Sequence, residues 1–127
     1  MDDICSHAAN SIERLELELV VRDFIDVLND GDGDDISAFL HERVHYRPSP
    51  HQVICGRAAV LAMLADVREA FDSMSIRLDT VSVCGQVAVV EQTIELALPG
   101  AVAQTVMGFA SFRFVGFQIA EWHQVHA

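Results

Sequence analysis

The sequence has 127 residues, the size of one ordinary domain, and 51% of them are hydrophobic. Its net charge is −11, and the chain contains arginine but no lysine. This acidity argues against nucleic acid and anionic membrane surfaces as partners, and the lack of lysine excludes Schiff-base chemistry through a lysine amine. No apolar run reaches the roughly 18 residues of a membrane span, and no signal peptide is evident, so we expect a cytoplasmic protein.

Apolar residues recur at helical spacing in three places in the first part of the chain. Ser11 can cap the first helix, and we expect residues 1–10 to form a loose arm ahead of it. No repeat, linker or change of composition divides the chain, so residues 1–127 are interpreted as a single domain. The predicted helices span residues 11–28, 35–40 and 56–71.

No motif in the sequence predicts a metal site. The acidic segment 30–35 resembles the start of a calcium-binding loop, but the glycine and glutamate that such a loop requires are replaced by aspartate and histidine. The pairs His41 with His45 and His123 with His126 lack the helical context that would bring both rings to one ion. We expect neither a metal nor an organic cofactor, and we interpret the three cysteines as small buried hydrophobic residues.

The apolar rhythm changes to a period of two after the third helix. A short strand is predicted at 45–46, ended by Pro48 and Pro50, which cannot donate to a β-ladder. Short glycine-containing links between the later strands favour antiparallel hairpins. Helices followed by a meander predict an α+β fold, with three helices on a curved antiparallel sheet. The later strands are predicted at 75–83, 86–98, 102–114 and 118–125.

One face of the predicted sheet has the composition of a small-molecule pocket. Its aliphatic residues are interrupted by few polar groups, chiefly Gln92 and Gln124, and the small residues Gly108 and Ala110 leave room. The alternative for each glutamine is a satisfied amide in a packed core. The residues that we expect to bind a ligand are Phe24, Tyr46, Met74, Gln92, Ile94, Val106, Gly108, Trp122 and Gln124.

Over residues 18–127 the sequence resembles the limonene-1,2-epoxide hydrolase and SnoaL-like polyketide cyclase group of the nuclear-transport-factor-2-like superfamily. The resemblance implies a cone-shaped pocket between helices and curved sheet, a mixed sheet edge, and commonly a homodimer. The segments that carry it are Val21-Arg-Asp-Phe24-Ile-Asp-Val-Leu28, Tyr46 with Pro50 and Gly56-Arg57, Met74-Ser-Ile76, Glu91, Phe112, and Ile119-Ala-Glu-Trp122.

The resemblance also implies where catalytic groups should lie. In the epoxide hydrolases one aspartate activates water, a second protonates the epoxide, and an arginine bridges the two. Those positions correspond here to Gln124, Ile94 and Gln92, and none of these side chains can act as a general acid or base at neutral pH. Tyr46 keeps a family tyrosine, whereas Pro48 replaces the asparagine that accompanies it.

The sequence therefore predicts a domain that binds a small hydrophobic molecule and lacks the epoxide hydrolase residues. The alternative is an isomerase, cyclase or hydrolase of the same fold, acting on a terpene-, polyketide- or steroid-like substrate. In that case Tyr46 would donate a hydrogen bond and His126 would act as the base, although we favour the simpler interpretation of His126 as an exposed terminal histidine.

The other face of the sheet predicts self-association. Val89, Thr93, Met107 and Phe109 make this outer face apolar enough to pair with a second copy of the chain. We therefore expect a homodimer formed through the outer sheet face.

Overall fold

The computed structural model describes residues 2–126, with side chains described from residue 10 onward. Three helices pack on one six-stranded mixed sheet that does not close into a barrel, which confirms the predicted α+β fold. The elements in chain order are α1 Asp2–Asp30, α2 Gly33–Ser37, β1 Leu40–Ser49, β2 Gln52–Cys55, α3 Arg57–Ala70, β3 Ser73–Cys84, β4 Val87–Ala97, β5 Gln104–Val115 and β6 Gln118–His126.

The first helix is longer than its apolar pattern indicates. It begins at Asp2, whereas the sequence placed a cap at Ser11 and a loose arm over residues 1–10; Met1 lies outside the described residues. The part with the clear apolar stripe is the part that packs, since Leu17, Val21 and Phe24 are fully buried. The stripe thus marks the packed portion of α1 correctly, but it does not mark where the helix begins.

The segment after α1 is a capped turn of helix. Asp32 accepts a hydrogen bond from the Asp35 backbone N–H, and the Asp35 side chain accepts one from the Asp32 backbone N–H. This reciprocal pair is a capping box. The acidic segment therefore starts a helix, as expected, but α2 ends at Ser37, so Leu40 belongs to β1 and not to the helix.

Strand β1 continues through a proline that was predicted to end it. The strand runs to Ser49, and its pairing with β2 shifts register between Tyr46 and Ser49. A register shift leaves Pro48 where no ladder hydrogen bond is required of its nitrogen, so the proline is tolerated. The prediction that the strand stops ahead of Pro48 was wrong for this reason.

The strands are ordered β2-β1-β6-β5-β4-β3 across the sheet. All neighbouring pairs are antiparallel except β1 and β6, which run parallel with Tyr46 opposite Trp122. The hairpin turns contain Gly85 and Gly116, whose φ angles of 59° and 63° are unfavourable for other residues. The parallel pair brings the first strand of the chain beside the last one.

The inner face of the sheet, which faces the helices, carries the core. Ala88, Val90 and Phe112 are buried on this face, whereas Val89, Met107 and Phe109 on the outer face are exposed.

Cys55 and Cys84 are also exposed and unpaired, so interpreting them as buried hydrophobic residues was wrong; Cys5 lies among the residues whose side chains are not described. Within residues 2–126, no helix has both the length and the apolar composition needed to cross a bilayer.

Candidate functional site

The C-terminal end of α1 is fixed to both neighbouring elements by side-chain hydrogen bonds. Asn29 donates through Nδ2 to the Ile76 carbonyl oxygen and accepts from the Ile76 N–H, both over 2.8 Å, which joins α1 to β3. The Arg68 guanidinium on α3 donates to the carbonyl oxygens of Val27, Leu28 and Gly31 over 2.6–3.1 Å. The bonds from Arg68 supply donors to carbonyl oxygens at the end of α1, where such groups lack helical partners. Together the bonds of Asn29 and Arg68 hold α1, α3 and β3 around a common space.

That space is a cavity of about 360 Å³ between the helices and the inner face of the sheet. Its size lies in the range of small-molecule sites, roughly 300–1,000 Å³. The polar atoms in its wall are few and lie chiefly on β1, β6 and α3. The residues that line it are Leu28, Tyr46, Pro48, Met63, Leu64, Val67, Arg68, Phe71, Met74, Ile76, Ile94, Leu96, Trp122, Gln124 and His126.

A chain of buried hydrogen bonds forms the polar side of this wall. Gln92 donates through Nε2 to Gln124 Oε1 over 2.8 Å, and Gln124 donates through Nε2 to the Tyr46 hydroxyl oxygen over 2.6 Å. Gln92 Nε2 also lies 3.5 Å from His126 Nε2. In this arrangement the donors run from Gln92 on β4 through Gln124 to Tyr46 on β1.

The two glutamines meet across the intervening strand β5. Gln92 pairs with Gly108 and Gln124 with Ala110, so only small side chains stand between the two amides. A Cβ built on Gly108 would clash with the Val125 carbonyl oxygen and would lie 2.9 Å from His126 Cδ2. The room predicted at Gly108 and Ala110 therefore exists, but the amide pair and the adjacent strand occupy it.

Tyr46 and Trp122 form an aromatic wall beside the amides. Their rings stack with centroids 4.0 Å apart, and Phe24 meets Trp122 edge to face from below at 5.1 Å. Burial raises the pKa of Tyr46 to about 12, although the hydrogen bond from Gln124 acts in the opposite direction. The Tyr46 hydroxyl thus stays protonated throughout the physiological range. Among residues 10–126, Trp122 Nε1 is a buried side-chain atom without a hydrogen-bond partner.

His126 lies at the open end of the polar wall. Its ring lines the cavity although the residue as a whole is exposed. Partial burial lowers the pKa of His126 below its usual value, so the ring is neutral at pH 7. A neutral ring can accept a hydrogen bond from the Gln92 amide, whereas a protonated ring cannot.

Six of the residues predicted for the site line the cavity, and four do not. Phe24 is fully buried beneath Trp122, while Val106 is half-buried and outside the wall. Gln92 lies behind Gln124, and together with Gly108 it lines a separate cleft of about 220 Å³. Gln92, Val106 and Gly108 were grouped with the pocket because they share the inner face of the sheet, but that face holds both the cavity wall and the core. The predicted residues in the wall are Tyr46, Met74, Ile94, Trp122, Gln124 and His126.

Sequence analysis missed the contribution of α3 to the wall. Met63, Leu64 and Val67 on this helix face the cavity together with Phe71 and Arg68. The apolar spacing of the helix was recognised, but an apolar stripe looks the same whether it packs on a sheet or faces a cavity. The signal available in the sequence was Arg68, a charged residue next to the apolar stripe.

These features define a SnoaL-like domain. The family model described as SnoaL-like domain matches residues 21–122, most of the chain, and the chain therefore belongs to this family. The match confirms the family resemblance that the sequence segments indicated. No match was found among curated proteins.

Solved structures share the fold at low sequence identity. An epoxide hydrolase of the limonene-epoxide-hydrolase-like type from M. tuberculosis is 18% identical, with a TM-score of 0.81 over 91% of this chain and 85% of that one. SalBIII, an epoxide hydrolase/cyclase-like enzyme with a role in pyran ring formation in the polyether salinomycin, is 18% identical, with a TM-score of 0.80 over 89% and 92%. An NTF2-like protein of unknown function from Burkholderia pseudomallei is 17% identical, with a TM-score of 0.80 over 88% and 91%. Such identities show a common fold.

The cavity offers few groups for chemistry. Among the described residues its wall contains no aspartate or glutamate, and its titratable members are Tyr46, Arg68 and His126. Arg68 is engaged by three backbone carbonyls, and Tyr46 does not ionise near neutral pH. The arrangement is suited to bind a mostly apolar molecule beside a small number of polar groups.

Proposed function

We propose that this domain binds a small, mostly apolar molecule in the cavity and does not hydrolyse epoxides. The observation that carries the proposal is a cavity of the size of a ligand site whose wall has no carboxylate among its described residues. Epoxide hydrolysis by the family's route requires an acid and a base, and both tasks need titratable groups. The positions that correspond to the catalytic residues are occupied by Gln92, Ile94 and Gln124, and none of these side chains is titratable near neutral pH.

The hydrogen bonding of the two amides supports binding over hydrolysis. Gln124 uses its oxygen to accept from Gln92 and its nitrogen to donate to Tyr46, so both ends of the amide are engaged. A side chain held in this way orients its neighbours but has no proton to exchange at neutral pH. We infer that these residues position the Tyr46 hydroxyl at the edge of the cavity.

The proposal can be tested on the purified protein with a panel of terpene and aryl epoxides and their ketone analogues. Trp122 is the only tryptophan of the chain and lies in the wall, so its fluorescence reports binding without a label. We expect saturable binding and no diol above the buffer rate. Met63→Phe should weaken binding by filling the cavity, whereas Val53→Phe, at an exposed position outside it, should not. Diol formation that is lost in Gln92→Ala or Tyr46→Phe would overturn the proposal.

A second candidate function is an isomerase or cyclase of the same fold. The observation that favours it is that Tyr46 and His126, a donor and a neutral base, line the same cavity. Because burial lowers the pKa of His126, the rate of the isomerase or cyclase reaction should fall only at a pH below about 6.5. Turnover that survives both His126→Ala and Tyr46→Phe would exclude this assignment.

The expected homodimer through the outer sheet face is also a proposal. Met107, Phe109 and Val125 are each more than half exposed on neighbouring strands, and Val89 adds to this apolar area. Thr93 was counted with them, but it is buried, and its hydroxyl donates to Asp79 Oδ2 over 2.6 Å. A cytoplasmic location stays a prediction, which imaging of a tagged chain in its host can check.

A further inference from the structure

Basic side chains gather at one corner of the outer face of the sheet. On β1, Arg43, His45 and Arg47 are exposed and alternate with buried residues, so the three share this face. On β6, Glu121 lies between His45 and Arg113 of β5, and its carboxylate binds the Arg113 guanidinium over 3.1 Å. These five residues form the basic corner, which contains three arginines and one glutamate.

Acidic side chains gather at the opposite corner of the same face. Glu91 and Glu95 on β4 are exposed, on the side of the strand away from the buried inner residues. On β3, Asp79 binds Arg77 over 3.0 Å, and Asp79 also accepts from the outer-face hydroxyl of Thr93. Glu91, Glu95, Asp79 and Arg77 form the acidic corner, which contains three carboxylates and one arginine.

An apolar line separates the two corners. It consists of the exposed residues Val125 on β6, Phe109 on β5 and Val89 on β4. Phe109 lies opposite Val125, whereas Val89 lies opposite Ser111, one outer-face position further along β5. The line therefore crosses the strands diagonally, with the basic corner on one side and the acidic corner on the other.

We infer that two copies of the chain pack through this face about a two-fold axis along the apolar line, with the basic corner of each copy on the acidic corner of the other. The inference rests on the proposed homodimer and adds the orientation of its two copies. Copies that meet through the same face are related by an axis in the plane of contact, and this axis exchanges the two sides of the face. An axis across the apolar line would instead set each corner on the same corner of the other copy, where like charges repel.

The acidic corner contains a cleft that fits an arginine side chain. The cleft has a volume of about 220 Å³, and its charged lining includes Asp79 and Glu91. Its apolar lining includes Met107 and Phe109. Arginine packs its aliphatic stem on apolar surface while its guanidinium binds carboxylates, so the cleft can hold both parts of the side chain.

Arg47 is suited to enter this cleft on the second copy. Among residues 10–126, Arg47 has no ion pair, whereas Arg113 is held by Glu121. Glu91 likewise has no ion pair within this part of the chain, and it accepts one hydrogen bond from the Thr80 hydroxyl. The expected contact therefore joins Arg47 of one copy to Glu91 of the other, twice in each dimer.

Two charge reversals, Arg47→Glu and Glu91→Arg, test the arrangement. Either one alone sets like charges against each other at two symmetric places, and should raise the Kd of the dimer at least about tenfold. The double variant Arg47→Glu/Glu91→Arg restores opposite charges and should return the Kd to within about threefold of wild type. Sedimentation equilibrium measures the four Kd values.

The net charge gives the opposite expectation for one variant, which makes the test specific. The chain carries a net charge of −11, and Glu91→Arg makes it less negative, so general repulsion alone predicts tighter association. Arg14→Glu and Glu16→Arg make the same changes at exposed positions on α1 and should leave the Kd within about twofold. Circular dichroism checks the fold of each variant, and Glu95→Arg replaces Glu91→Arg if the latter does not fold.

The outcomes separate the arrangement from the dimer itself. Single reversals without effect, or a double variant that associates no more tightly than the single ones, overturn the arrangement while the proposed homodimer stands. If the wild-type chain stays monomeric at tens of micromolar, the homodimer fails and the arrangement fails with it.

Discussion

Gln92 and Gln124 are hydrogen-bonded over 2.8 Å although strand β5 lies between their own strands. The bond is possible because β5 presents Gly108 and Ala110 at this level, and neither side chain reaches the path between the amides. The pair continues to Tyr46, so three strands share one polar chain inside an apolar core. Buried polar groups of this kind stabilise a structure only when every member is paired.

The amide pair predicts a measurable coupling energy. Gln92→Leu leaves Gln124 Oε1 buried without its donor and should lower the free energy of unfolding by about 1–3 kcal/mol. The double variant Gln92→Leu/Gln124→Leu should cost about 1 kcal/mol less than the sum of the two single variants. Urea unfolding of the three variants and of wild type measures both values. Gln104→Leu, at an exposed position on β5, is the control, and strict additivity at the pair would contradict the bond.

Gly108 should tolerate no larger side chain. In Gly108→Ala the new methyl group would clash with the Val125 carbonyl oxygen, so β5 and β6 must separate locally. We expect a loss of about 1–3 kcal/mol in the free energy of unfolding, measured by chemical denaturation. Gly33→Ala is the matched control, because its methyl group meets no atom within 4 Å. Equal effects at the two glycines would show that close packing at Gly108 is not the cause.

Tyr46 should titrate far above an ordinary tyrosine. It is the only tyrosine of the chain, and its pKa is raised to about 12, so the ultraviolet absorbance of tyrosinate should appear near pH 12 and not near pH 10. The raised pKa means that the folded state holds this proton while the unfolded state releases it. Its contribution to stability is complete below about pH 10 and is lost as the pH rises to about 12, an effect of about 3 kcal/mol.

The absorbance titration has an internal control in the unfolded protein. In concentrated denaturant the same tyrosine should titrate near pH 10, its usual value. A folded protein with the same midpoint would show that the hydroxyl is not desolvated, and the assignment of Tyr46 to a buried wall would be wrong.

Arg68 should contribute to stability through its geometry as well as its charge. Arg68→Lys keeps the charge but cannot reach three carbonyl oxygens at once, so we expect a loss of about 2–4 kcal/mol in the free energy of unfolding. Arg57→Lys is the control, because Arg57 makes one long hydrogen bond of 3.4 Å to the Leu40 carbonyl oxygen. Similar melting temperatures for the two variants would exclude the anchoring role of Arg68.

Self-association should depend on the outer sheet face. Phe109→Glu places a charge in the centre of the exposed apolar area and should convert a dimer into a monomer, as measured by sedimentation at tens of micromolar. Val102→Glu, in the exposed link between β4 and β5, should leave the association unchanged. A wild-type chain that sediments as a monomer at this concentration would contradict the proposed dimer.

Much of the candidate site was predictable because strand alternation is a local property. Gln92, Ile94 and Gln124 were placed on the inner face from their positions in their strands, and all three are buried there. Whether a residue on that face lines the cavity or fills the core was not predictable. Val106 belongs to the same inner-face pattern of the strands as Met74, yet only Met74 borders the cavity.

The start of α1 and the course of β1 show a second limit. The apolar stripe of α1 marks the residues that pack, but a helix can continue beyond them, as this one does to Asp2. Pro48 ends a strand when a neighbour needs its N–H, and the register shift after Tyr46 removes that need. Such shifts depend on the partner strand, which lies elsewhere in the sequence.

By itself, the sequence determined the α+β class, the three helices, the four later strands and the family. The class, the helices and the strands follow from periodicity and turns, which are set by residues near one another, whereas the family follows from the resemblance of its segments to a known group. Only the tertiary structure determined that β1 lies parallel to β6, with Tyr46 placed within 2.6 Å of Gln124, 78 positions away. The reason is that strand partners and register are fixed by the packing of the whole sheet against its helices, which no local pattern encodes.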